Sequence, residues 1–301
     1  MRKIPGVTAS DVWPTLSADI KEKVVIQVAE HLAALFSLRF EKAGSLYCAQ
    51  FPPDSPSRQL PDISGDAAFE VGLVASGPFY RMTDDVLDYP TTDLHAHVNS
   101  SLSSLSAKRL HALRGPFNTA GDYLAHYIRA LLFKITKFPN ESMEEIDIPA
   151  DGENKTEESV QKEKKKKLHD AKRVLQKAIK LCHVYPGDAA VYPADPATAK
   201  LGQFTSRMED FRLVNILIDP NTGTVNGLID FEGVTTAPLW VAATVPDWIP
   251  DPDSDMASWY GGTPEDQRRL WNAFNATIDG FSPEWRNANR GGKLFHRLVA
   301  I

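Results

Sequence analysis

One segment constrains the fold of this chain more than any other: VNILIDPNTGTVNGLIDFEG, residues 214–233. Two apolar runs, Val214 to Ile218 and Val225 to Phe231, flank DPNTG, where Pro220, Asn221 and Gly223 supply tight-turn chemistry. The pattern predicts a β-hairpin. Asp210 precedes it, Asn215 begins its first strand, and Asp230 ends its second.

That spacing has a chemical reading. Phosphoryl transfer needs a carboxylate to orient an attacking hydroxyl and receive its proton, and oxygen ligands for a magnesium ion that bridges phosphates. An Asp five residues before an Asn puts both on one loop, with Asp210 facing the acceptor and Asn215 the metal. The hairpin then returns Asp230 to the same spot as a second ligand. Each residue also has a plain reading, as a turn cap, a strand start and a strand end. The three together at these spacings point to the arrangement of a phosphotransferase.

The rest of the chain reads as helices around further short strands. Ser17 can cap a helix on which Ile20, Val24, Val28, Leu32 and Leu35 form one apolar stripe. RFEKAGSLYC, AFEVGLV and GPFYRM are strand-like and rich in turn residues. Thr119 is placed to cap a second helix whose buried face runs from Tyr123 to Leu132, and Pro264 to Phe281 reads as a third with Leu270, Phe274 and Ile278 on one side. The tail, PEWRNANRGGKLFHRLVAI, predicts a final helical element packed by Trp285, Leu294 and Leu298. Residues 149–167 carry almost no apolar side chains and are expected to form a flexible charged surface insertion. Its KEKKKK run reads as a solvated helix start, with a nuclear-localisation or phosphate-binding patch as the alternative.

Composition excludes several classes. The formal net charge of −6 gives no support for nucleic acid as a partner. Two cysteines, Cys48 and Cys182, without a CxxC pair indicate neither a disulfide framework nor a zinc site. No stretch is long and apolar enough to span a bilayer, and the N-terminus lacks the apolar core of a signal peptide. The expectation is a cytoplasmic protein with no membrane partner, in which the sequons at Asn99, Asn140, Asn154 and Asn275 are chance matches. His95 and His97 alternate as ligands on a strand would, but no third ligand accompanies them. Asp247, Asp251, Asp253 and Asp255, interleaved with Trp248 and Trp259, read as a surface loop.

The block SRMEDFRLVNILIDPNTGTVNGLIDFEGVTTAPLW resembles the catalytic and metal-binding segment of the aminoglycoside phosphotransferase family, particularly its fungal members, which read H-x-D-x4-N-I-L-x-D, a hairpin, I-D-[FW]-E and A-P-L-W. IPGVTASDVWPTLS, RFEKAGSLY and GPFNTAGDYL are similar to further segments of those proteins. The resemblance implies an α+β fold of the protein-kinase-like C-terminal-lobe type over residues 1–301 as one domain, mostly helical with a catalytic β-hairpin. It implies transfer of the ATP γ-phosphoryl group to a small-molecule hydroxyl, with a cationic or sugar-like acceptor. It also gives the stretch from Asp247 to Asp255 an alternative reading, as part of the acceptor pocket. Asp210 falls on the family's catalytic base, Asn215 and Asp230 on its magnesium ligands, and Glu232 on a recurrent acid without a derivable role.

Two departures follow from the same comparison. Met208 stands where the family has a His that supports the loop by hydrogen bonding, which a thioether does poorly. Met1 falls where the family's hinge lies, and no GxGxxG or V-A-I-K-like strand is found, so the upper ATP-binding lobe is expected to be missing or severely truncated. A truncated product, an incomplete gene model and a lobe-less relative all fit that pattern. The alternative function is a catalytically inactive kinase-like binding or scaffolding module.

Overall fold

The hairpin, the capped helices and their packing are all present in the computed structural model, which describes residues 4–48, 69–75, 114–146, 156–182, 204–231, 233–249, 251–253 and 263–299. The elements in chain order are β1 (Val7–Thr8), α1 (Ala9–Val12), α2 (Ala18–Ser37), β2 (Gly44–Cys48), β3 (Phe69–Gly72), α3 (Ala120–Lys137), α4 (Pro139–Glu144) and α5 (Glu157–Leu181). They continue with β4 (Phe204–Met208), β5 (Ile216–Asp219), β6 (Thr224–Leu228), β7 (Val234–Pro238), α6 (Leu239–Ala242), α7 (Pro264–Phe281) and α8 (Pro283–Val299). The architecture is α+β with antiparallel strand pairing. The chain divides into two compact units, Met1–Glu41 with Asp188–His296 and Lys42–Gly187 with Arg297–Ile301.

The first unit holds the hairpin. β5 and β6 pair antiparallel, with Ile216 opposite Leu228 and Asp219 opposite Thr224, and a register shift falls between Leu217 and Ile218. β1 adds to the free edge of β5, Val7 opposite Ile218. Gly223 closes the turn with φ +67°, and a Cβ there would also lie 3.1 Å from the Ile20 carbonyl oxygen of α2, so glycine meets two demands at once. α2 begins where Ser17 Oγ accepts from the Ile20 N–H. Its buried face is Val24, Val25, Val28, Ala29, Ala33 and Phe36, a slightly rotated version of the stripe read from sequence. Leu32 packs against that core as a partly buried residue.

α7 starts with a reciprocal capping box between Thr263 and Asp266, and its stripe of Leu270, Phe274 and Ile278 joins the α2 core. Arg269 fastens the two helices from outside, its Nη2 lying 2.7 Å from Asp19 Oδ1 and paired also with Glu22. Phe274 is wholly buried and packs edge-on against Trp285, ring centroids 5.7 Å apart, the tail contact expected of Trp285. A second strand pair, β4 with β7, runs from Phe204 opposite Pro238 to Met208 opposite Val234.

The second unit is built on α3 and α5. Thr119 Oγ1 accepts from the Asp122 N–H at 3.0 Å and donates to the Asp122 carboxylate, the cap expected from sequence. The buried face of α3 includes Tyr123, Leu124, Tyr127 and Ile128. β2 and β3 pair antiparallel within this unit, Ser45 opposite Gly72.

The KEKKKK run is helical, as its reading as a solvated helix start expected, but the helix begins earlier, at Glu157, so the flexible insertion read over 149–167 does not extend through its second half. Thr156 caps that helix, Glu157 and Glu158 suit its positive end, and Leu168, Leu175 and Ala178 anchor it further along. The helix is held by its second half. Residues 149–155 lie outside the described residues, as do Asn99, Asn154, His95, His97, Glu232, Asp255 and Trp259. No described helix is long and apolar enough to cross a membrane.

Candidate functional site

The site is built where β4 hands over to β5. After Met208 the chain turns at Glu209 and Asp210, passes Phe211 and Arg212, and forms one 3-10 turn, Leu213–Asn215, before the strand begins. Asn215 therefore ends a turn instead of opening the strand.

Three contacts fix this loop. Leu213 is buried in the hydrophobic core at 2% exposure. The Trp248 indole N–H donates to the Phe211 carbonyl at 3.2 Å, and Trp248 itself is wedged edge-on against Trp13. The Asn215 side-chain NH2 donates to the Asp210 carbonyl at 2.8 Å from a position only 4% exposed. Met208 lies in the β4–β7 pair, so the loop is supported by an indole and an amide and not from that position.

A chain of backbone bonds runs from the loop that carries Asp210 and Asn215 to Ile229, the residue before Asp230, at one end of the hairpin. The Arg212 N–H donates to the Asp210 carbonyl at 3.2 Å, the Asn215 N–H to the Arg212 carbonyl at 3.0 Å, and the Ile229 N–H to the Asn215 carbonyl at 2.9 Å. Asp230 follows Ile229, two residues past the end of β6, with φ 64°. It is the one non-glycine residue with positive φ among the described residues, and its carboxylate is exposed and has no partner among them.

The Asp210 carboxylate is half-exposed and occupied. Arg212 Nε lies 2.5 Å from Asp210 Oδ1 and Arg212 Nη2 lies 2.5 Å from Oδ2, a two-pronged ion pair. Sequence reasoning passed over Arg212; its signal is a cation two residues after an acid on a turn. Arg207 pairs with Glu209 through one contact, Nη1 to Oε1 at 3.2 Å.

Beside this loop opens a cavity of about 220 Å³ lined by Phe36, Met208, Asp210, Arg212, Asp247 and Trp248 among others. Asp210 thus borders the cavity on one side and the hairpin end on the other. Of the acidic patch read from sequence, Asp247 lines the cavity, whereas Asp251 and Asp253 do not.

The donor set fits a hard divalent cation. Because Asn215 Nδ2 is committed to the Asp210 carbonyl, the amide oxygen is the atom left for a ligand, and Asp230 adds a carboxylate. Among the described residues no group of three or more His, Cys, Asp or Glu is placed to hold a metal ion, so this pair would need water or substrate oxygens to complete a shell.

No family model, no curated protein and no solved structure matches this chain.

Proposed function

We propose that this chain is a phosphotransferase of aminoglycoside phosphotransferase type, in a fold related to the protein-kinase C-terminal lobe, moving the γ-phosphoryl group of ATP to a small-molecule hydroxyl. The observation that carries this reading is Asp210 standing between a cavity and the hairpin end that holds Asn215 and Asp230. In this reading Asp210 orients the acceptor hydroxyl and takes its proton. The Asn215 amide oxygen and the Asp230 carboxylate hold magnesium, which when bound offsets charge on the phosphates. Asp247, exposed and without a partner among the described residues, faces the cavity as the anionic contact for a cationic or amino-sugar acceptor.

The test joins binding to chemistry. Two oxygen ligands hold Mg-ATP weakly, so calorimetric titration of the chain is expected to give a millimolar Kd, about 4 kcal/mol, lost in Asp230→Ala. Incubation with ATP, magnesium and a panel of amino alcohols and amino sugars, read by phosphorus NMR, should give a phosphate ester at a rate lowered roughly 10²–10⁴-fold by Asp210→Asn. Transfer unaffected by that substitution would overturn the assignment.

One observation favours a second reading, an inactive binding or scaffolding module. Both oxygens of the Asp210 carboxylate are engaged by Arg212, so an acceptor hydroxyl would compete with a guanidinium for them. In that case no acceptor yields product, and Arg212→Ala does not restore any.

A further inference from the structure

α5 carries its basic residues on one line. At about 100° per residue, Lys162, Lys165, Lys166, Arg173, Lys177 and Lys180 fall within roughly 60° of a common direction, along about 27 Å of helix. The side chains that bury, Leu168, Leu175 and Ala178, lie on the opposite face. All six basic residues are exposed. Among the described residues Lys162, Lys165, Lys166, Lys177 and Lys180 have no ion-pair partner, and Arg173 has only Asp170 at 3.9 Å. Glu158 at one end, and Glu163 and Asp170 along one border, are the acids nearest the stripe. A chain of net charge −6 thus places a straight cationic stripe on the outer face of one helix.

Two exposed apolar side chains lie on the same flank of that stripe, Val174 at 45% and Leu181 at 64% exposure. We propose that this face of α5 docks on an anionic lipid bilayer, lying flat with the lysines against the headgroups and Val174 and Leu181 touching the interface. Charge complementarity selects an anionic surface, and the geometry selects a flat one. The cations stand in a line on a convex helix whose back is packed, and lysine stems are long enough to level their charges against a plane. Nucleic acid fits less well, because the stripe carries one ring, His169, for stacking on bases and a single guanidinium for paired base contacts. Peripheral contact of this kind needs no spanning helix.

The test is co-sedimentation of the full chain with vesicles of phosphatidylcholine alone and with 30% phosphatidylserine (about a third anionic, enough for a surface potential). Binding is expected only to the anionic vesicles, weakening with salt. Replacing Lys162, Lys165 and Lys166 together by Gln should lower the affinity on the order of a hundredfold, given roughly a tenfold or smaller contribution per lysine. The matching triple Arg variant should keep it. Val174→Ser with Leu181→Ser should weaken binding less and leave its salt dependence in place. All variants lie on exposed positions, and circular dichroism checks that α5 persists. Equal binding to both vesicle types, no binding to either, or stripping from anionic vesicles by a stoichiometric oligonucleotide would overturn the proposal.

Discussion

Asp230 occupies a backbone conformation that a residue with a Cβ adopts at a cost, at φ 64° and with no partner for its carboxylate among the described residues. Left-handed backbone costs an L-residue about 1–2 kcal/mol, somewhat less for Asp, whereas glycine accepts it freely. Glycine loses about 0.5–1 kcal/mol more conformational entropy on folding, which offsets part of the relief. Asp230→Gly should therefore stabilise the chain by roughly 0.5–1 kcal/mol, measured as a shift of the urea midpoint at unchanged m. Asp230→Ala relieves nothing, since it keeps the Cβ, and should be no more stable than the wild type. Magnesium separates the two roles: added with ATP it should raise the melting temperature of the wild type and leave both variants unmoved. If Asp230→Gly proves less stable than the parent, the carboxylate has a structural partner. The strain would then be no signature of a site.

Asn215→Asp replaces the donor to the Asp210 carbonyl by a buried carboxylate, and should cost about 2–4 kcal/mol near neutral pH. Burial and the facing carbonyl raise the new carboxyl's pKa above its unfolded value, so the deficit should shrink at pH 4–5, where that carboxyl is protonated, and grow as pH rises through its folded pKa; denaturation at two pH values reads this. Phe274→Ala should cost about 3–5 kcal/mol, since the ring is wholly buried between α2 and Trp285, measured by chemical denaturation. His126 has its pKa lowered, chiefly by burial, so the folded state resists its protonation and wild-type stability should fall as pH drops through the unfolded value of about 6.5; His126→Gln should lose less between pH 7.5 and 5.5. Thr235→Val should raise stability by about 1 kcal/mol in the same denaturation assay, because the Thr235 hydroxyl is buried without a hydrogen-bond partner among the described residues.

The hairpin, the starts of α2 and α3 and the apolar stripe of α7 were legible because their signals are local. Turn residues flanked by apolar runs define β5 and β6, and a hydroxyl at the right offset marks the starts of α2 and α3. What escaped the sequence depended on neighbours distant along the chain. α5 begins at Glu157, earlier than the helix start read at the KEKKKK run, and Leu168, Leu175 and Ala178 anchor it from further along. The order at the hairpin end likewise differs by one or two residues from the pattern. Asn215 closes a 3-10 turn so that its amide can reach back to the Asp210 carbonyl, and Asp230 lies beyond β6 because the ladder ends at Leu228.

The charge balance of the cavity narrows what the proposed reaction would accept. Three carboxylates line it, Glu209, Asp210 and Asp247. Arg207 engages the first and Arg212 the second, each at ion-pair distance, while Asp247 has no cation among the described residues. With the loop closed in this way the cavity presents about one uncompensated negative charge, which suits a single ammonium better than a polycation. An anionic phosphate at the hairpin end would compete for the Arg212 guanidinium, whose two-pronged geometry matches phosphate as well as carboxylate. Its departure would leave Asp210 without its counter-charge, adding a second anionic contact and freeing the oxygen that the acceptor hydroxyl needs. In the proposed reaction donor and acceptor would be coupled through this one arginine, and a cationic acceptor would be attracted more strongly once phosphate had drawn Arg212 away from Asp210.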